Sequence, residues 1–186
     1  MNMSTIRSKP SYSKNDPACG SKDQIVFVGN VKLQNLTETE ERYLSDPATA
    51  VLAIDVIASP GYEGVDFHFV TLELKIVGAN GARFVPHSQR SNYYWEVPSD
   101  ASASPVIWVE KEIATSWLRI RDHYDRIAIL SGPGNGRTYY VGIGGLPEGN
   151  ALQFTAFASA SETRVTNCEL TIADLHTGET LDGYLS

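Results

Sequence analysis

Cysteine and histidine are scarce in this chain, and their scarcity removes most metal and thiol chemistry from consideration. Of 186 residues, two are cysteine and four are histidine. Cys168 shares a strand face with Leu170 and Ile172, whereas Cys19 sits in a polar N-terminal stretch. The pair therefore reads as a buried small hydrophobe and an unrelated exposed thiol rather than as a bridge. His68, His87, His123 and His176 show no metal-ligand spacing with one another or with cysteine, so any zinc site would have to be assembled wholly by the fold. His68 has the parity of Val70 and Leu72 and reads as a core histidine, while His123 falls in a polar turn.

Long apolar runs are also missing. No stretch of 18 apolar residues occurs, which excludes a membrane-spanning helix. The first 23 residues, MNMSTIRSKPSYSKNDPACGSKD, lack an apolar signal core, so export by the ordinary signal route is not expected and a cytoplasmic or particle-associated location is favoured. Basic charge is short as well. The net charge is −7, from 15 basic and 22 acidic residues. Residues 1–23 hold four basic and two acidic side chains, leaving 11 against 20, or −9, for the remainder. Such a body repels a phosphate backbone, and no basic and aromatic motif offsets it, so nucleic acid is set aside as a partner. Nucleophile motifs and phosphate loops are absent too. His87-Ser88 is mere adjacency, and the segments SGPGNGRT and VGIGGLPEG lack the Lys-Ser/Thr ending and following helix of a P-loop.

What the chain has is alternation. It is 42% hydrophobic and 20% charged, enough for one packed domain of this length. Residues 1–23 read as a flexible N-terminal arm, punctuated by Pro10, Pro17 and Gly20, and residues 24–186 as a single β-sandwich domain. Thr37 and Glu40 have capping-box spacing and predict one short helical turn near residues 38–44, closed by Asp46-Pro47. Elsewhere the pattern is strand and turn. In Thr49–Ser59, Leu52, Ile54 and Val56 take one face and Asp55 the other. In Asp66–Val77, Val70, Leu72, Leu74 and Ile76 lie inward, with Thr71, Glu73 and Lys75 outward. The segment SWLRIRDHYDRIAIL, Ser116 to Leu130, reads as a hairpin whose turn is Asp122 to Asp125. That register sets Leu118 opposite Ile129 and Ile120 opposite Ile127. About eleven strands are expected, spaced as in a two-sheet antiparallel sandwich.

From this segment onward the chain resembles the concanavalin A-like lectin and glucanase superfamily, in particular its laminin G-like jelly-roll branches. The residues that carry the resemblance are WLRIR (Trp117 to Arg121), the polar turn, RIAIL (Arg126 to Leu130) and a Gly-rich loop. The strand YYVGIG (Tyr139 to Gly144) and the closing runs LQFTAFAS and VTNCELTIADL follow. The resemblance covers roughly Thr49 to Leu175. It implies an all-β, two-sheet sandwich of jelly-roll type and points towards glycan binding. The acidic cluster of the glucanase branch has no counterpart. Glu110 and Glu112 share a face without a third carboxylate, and they read as solvated charges; no catalytic residue is assigned.

Sugar recognition needs flat apolar rings together with amides, carboxylates or guanidinium groups. The residues that parity turns away from the core are Trp108 with Glu110, Trp117 with Arg119, Tyr94 with Asn92, and Tyr140. If their strands adjoin, they form one aromatic face edged with charge. Tyr93, Trp95 and Tyr139 have inward parity and are assigned to packing. Asp122 and Asp125, with turn carbonyls, are a candidate calcium pair, as in some laminin G-like domains. The sequence thus favours a non-enzymatic carbohydrate-binding sandwich. The alternative is a structural or assembly subunit, for example of a virion or other large particle, that self-associates through the same face and the N-terminal arm. A glycan hydrolase or lyase is the third reading.

Overall fold

The computed structural model describes residues 11–14, 25–35, 49–77, 81–85, 94–96, 106–111, 116–130, 136–147, 151–160 and 170–181. Within them are twelve β-strands and no helix. The helical turn expected near residues 38–44 lies outside the described residues, as do both cysteines and Asn92.

Sheet A is built from β1 (Ser11–Lys14), β11 (Leu170–Leu175), β10 (Leu152–Ser159), β4 (Asp66–Ile76), β8 (Trp117–Ala128) and β7 (Val106–Lys111), in that spatial order. Sheet B runs β12 (Thr180–Leu181), β2 (Val26–Asn35), β3 (Ala50–Ala58), β9 (Arg137–Gly144) and β5 (Arg83–Val85). The last strand, β6 (Tyr94–Glu96), continues the β5 edge of β9: Val85 pairs with Gly142 and Tyr94 with Val141, next to each other on β9. The chain leaves this edge after Val85 and rejoins it one rung further along. All pairings are antiparallel.

Period-two alternation directs one apolar row of each strand to a single cluster. Val31, Leu33, Leu52, Ile54, Tyr139 and Val141 from sheet B meet Leu72, Leu74, Leu118, Ile120, Phe154 and Ile172 from sheet A, all essentially inaccessible to water. Two antiparallel sheets sharing one core are compatible with a β-sandwich. The central strand β3 goes further. All nine of its residues are buried, Asp55 included.

Two expectations are corrected. The segment Trp117–Ala128 is one continuous strand rather than a hairpin, flanked by β4 on one side and β7 on the other. The polar tetrapeptide marks a slip in register: Phe69 pairs with His123 but Phe67 with Ile127, so two steps on β4 oppose four on β8. The inward parity changes across this irregularity: Ile120 and Ile129, an odd number of residues apart, both reach the core. His68 lies at the same slip and is exposed, not a core residue. Four residues of the segment read as a flexible arm, Ser11–Lys14, form β1 and pair with β11 at the edge of sheet A.

Candidate functional site

The sequence-derived site residues divide between the two sheets. Trp117 and Arg119 stand two apart on β8, on the face opposite the buried Leu118 and Ile120. The Arg119 guanidinium carbon sits 5.6 Å from the Trp117 ring centroid, within cation–π range. Its Nε lies 3.5 Å from a Glu73 carboxylate oxygen. Glu73 is the cross-strand partner of Arg119, so the register itself aligns the two charges. On the other flank Glu110 pairs with Arg119 and Trp108 with Arg121 in backbone register. Trp117 Nε1 is buried and finds no hydrogen-bond acceptor among the described residues. On this outer face of sheet A, Arg119 is already engaged by a carboxylate and a ring.

Tyr140 is elsewhere. It projects from β9 on the outer face of sheet B, on the far side of the shared core, because its neighbours Tyr139 and Val141 point into that core. Tyr94 belongs to sheet B too, yet it pairs with the buried Val141, while Trp95 stands in register with Tyr140. Asp122 and Asp125 lie within β8 instead of a turn. No group of three or more His, Cys, Asp or Glu side chains that could hold a metal ion occurs among the described residues.

Around Tyr140 the outer face of sheet B is hollowed into an open depression of about 350 Å³, at the small end of ligand-site volumes. Its shape follows from the register. One row across the sheet reads Thr180, Lys32, Ala53, Tyr140. Ala53, with a one-carbon side chain, makes the floor between the long side chains of Lys32 and Tyr140. The next row places Asp55 opposite Thr138, and Gln34 lines the other end. A register shift between Val28 and Val31 adds a residue to β2 and brings Asn30 into the lining with Asp55. Thr180 arrives by a turn in which Gly178, with φ of 91°, lets the chain cross from β11 in sheet A to β12 in sheet B. The Gly178 amide donates to the Leu33 carbonyl at 2.6 Å.

Asp55 is the unusual member of this group. Only 7% of its surface is exposed, and a carboxylate so deeply set requires donors. The Thr138 hydroxyl donates to its Oδ1. Asn30 Oδ1 is buried without a donor among the described residues. The depression therefore combines an aromatic wall, a small apolar floor, two acceptors at its base and a lysine at its rim.

No family matches. Comparison with protein-family models, curated proteins and solved structures finds no similar protein, and the chemistry of the site rests on its own residues. Of the sequence-derived candidates only Tyr140 lines this depression. The signal that could have found it was Asp55, the single charge in the otherwise apolar strand AVLAIDVIA. Its neighbours come from β2, β9 and β12, and no spacing in the chain links them.

Proposed function

We propose that this protein is a non-enzymatic carbohydrate-binding module of jelly-roll type that holds its ligand in the Tyr140 depression. The observation that supports this most is the pairing of an aromatic wall with an apolar floor and hydroxyl-binding groups in one open hollow. A pyranose presents a C–H face to the Tyr140 ring and hydroxyls to its edge. Asp55 and Asn30 accept from those hydroxyls, and Gln34 and Thr180 supply further polar contacts. The shallow, open form suits retention of a sugar rather than enclosure of a reaction. The Trp117–Arg119 stripe, with Trp108 and Glu110 in register, is the second surface this reading offers to a glycan, on the opposite side of the core.

The test is a glycan-array screen of the full chain alongside Tyr140→Ala and Trp117→Ala, run with and without a calcium chelator. Retention of a related set of glycans that is lost in Tyr140→Ala, with the circular dichroism spectrum unchanged, is the expected result. Loss confined to Trp117→Ala moves the site to sheet A, and chelator sensitivity brings Asp122 and Asp125 in as ligands. A blank array on folded protein removes the carbohydrate reading. The assembly-subunit reading draws on one feature, the placement of β1 as an N-terminal strand at the edge of sheet A, where a neighbour's strand would fit equally well.

A further inference from the structure

The hollow on sheet B is confined by the row of residues that β3 turns away from the shared core, Val51, Ala53, Asp55 and Ile57. Its ends are closed. Val51 and Ile57 are both 0% exposed, whereas Ala53 and Asp55 retain 8% and 7%. At the Ile57 end the reason is local, because the Ile57 side chain lies where a Cβ of Gly29 on β2 or of Gly136 on β9 would fall. At the other end Val51 pairs with Gly142, and beyond Gly142 comes Val85, which is also inaccessible. The open length along β3 is thus the step from Ala53 to Asp55, about 7 Å at ~3.4 Å per residue. Across the strands the two flanks differ. On the β9 side stands Tyr140, and the sheet continues past it to β6. On the β2 side come Lys32 and Thr180, both exposed, and β12 is the last strand of the sheet among the described residues.

Resting on the carbohydrate reading, we infer that this hollow takes the terminal ring of a glycan and that the rest of the glycan leaves over Lys32 and Thr180, across the β12 edge. A ring inside a linear glycan is bonded to a neighbour on two sides, so its site must be open in two opposite directions. Here the strand direction is closed both ways, and the aromatic wall closes one side of the cross-strand direction. One exit remains. The volume agrees, since about 350 Å³ lies at the small end of ligand sites and suits one ring rather than several. Ala53 sets this limit. Its side chain is the smallest among those beside it in register, Lys32 and Tyr140, and those flanking it along β3, Val51 and Asp55. Thr180 stands two strand spacings from Ala53, or about 10 Å. A second ring therefore lies over the exposed edge, and a third lies beyond the sheet.

The experiment titrates the full chain with homo-oligosaccharide ladders of one, two, four and six rings, built from glucose, galactose, mannose and N-acetylglucosamine, following backbone amide shifts. In a ladder that binds, the second ring should raise the affinity by about two- to ten-fold, the worth of one hydrogen bond at the rim. The fourth and sixth rings should add nothing. Ala53→Leu, which fills the floor, should abolish binding of every rung while the amide shifts of β4, β8 and β10 in sheet A stay in place. An affinity that climbs from two rings through six, or binding that survives Ala53→Leu at full strength, overturns the terminal-ring inference while carbohydrate binding itself stands. Failure of every ladder to bind overturns both the inference and the carbohydrate reading.

Discussion

At the scale of single residues, Asp55 and Thr138 show how a polar site is maintained inside a strand that is otherwise apolar. A buried carboxylate that loses one donor retains most of its desolvation cost. Thr138→Val keeps the branched shape and removes the hydroxyl, and it should destabilise the fold by about 1–3 kcal/mol. The measurement is the urea midpoint, with the slope unchanged, and Thr138→Ser should recover most of the loss. An unmoved midpoint would show that the hydroxyl contributes nothing to Asp55. Gly136 offers a steric counterpart. A Cβ there would fall onto the Val56 carbonyl oxygen and into the Ile57 side chain, so Gly136→Ala forces β9 away from β3 at the start of their ladder. A cost of about 1–3 kcal/mol is expected, seen in the same denaturation experiment. Neither dependence was visible in the sequence. Asp55 was read as an outward charge because alternation reports which face a residue takes, not whether something covers that face.

At the scale of elements, the sequence was most informative where one strand has a single buried row. The inward sets Val70, Leu72, Leu74 and Ile76 in β4 and Leu118 and Ile120 in β8 are the ones alternation indicates. It failed where parity changes. A polar tetrapeptide between two apolar runs of opposite phase is what a hairpin turn and an in-strand bulge both produce, and local residues do not distinguish them. The pairing of β8 with β4 and β7 does. His123 pairs with Phe69 on one side and Val106 on the other, so its backbone is interior to the sheet. Proline at that position deletes the amide and fixes φ, leaving ladder groups unsatisfied. His123→Pro should therefore cost at least about 2 kcal/mol. In a solvated hairpin turn the same substitution would be nearly silent. Hydrogen exchange checks this without a variant: amides of residues 117–123 should be protected like those of β4, whereas a turn would leave those of residues 122–125 exchanging freely.

At the scale of the whole molecule, the arrangement of strands is non-local. The sheet order joins residues near opposite ends of the chain, Ser11 with Ala173 and Lys32 with Thr180. Parity assigns a face and never a neighbour, which is why Tyr140 and Trp117, both correctly placed away from the core, turned out to be on opposite sides of it. The placement of β1 gives the lectin and assembly readings opposite signs in one measurement. In the structure β1 covers the edge of β11 within its own chain. If that is its role in solution, deleting residues 1–14 uncovers a row of unpaired backbone donors and acceptors, and an open edge recruits other chains. The truncated protein should then elute earlier than the full chain on gel filtration, in a concentration-dependent way, while keeping its β-rich circular dichroism. If instead the segment is exchanged between neighbours, the full chain is the larger species and the deletion reduces it to monomer. A shift to later elution would thus favour the assembly subunit over a free-standing binding module. A shift to earlier elution would assign β1 to protecting the edge of the sheet that carries Trp117 and Arg119, and would leave the Tyr140 hollow on the other sheet as the surface open to a ligand.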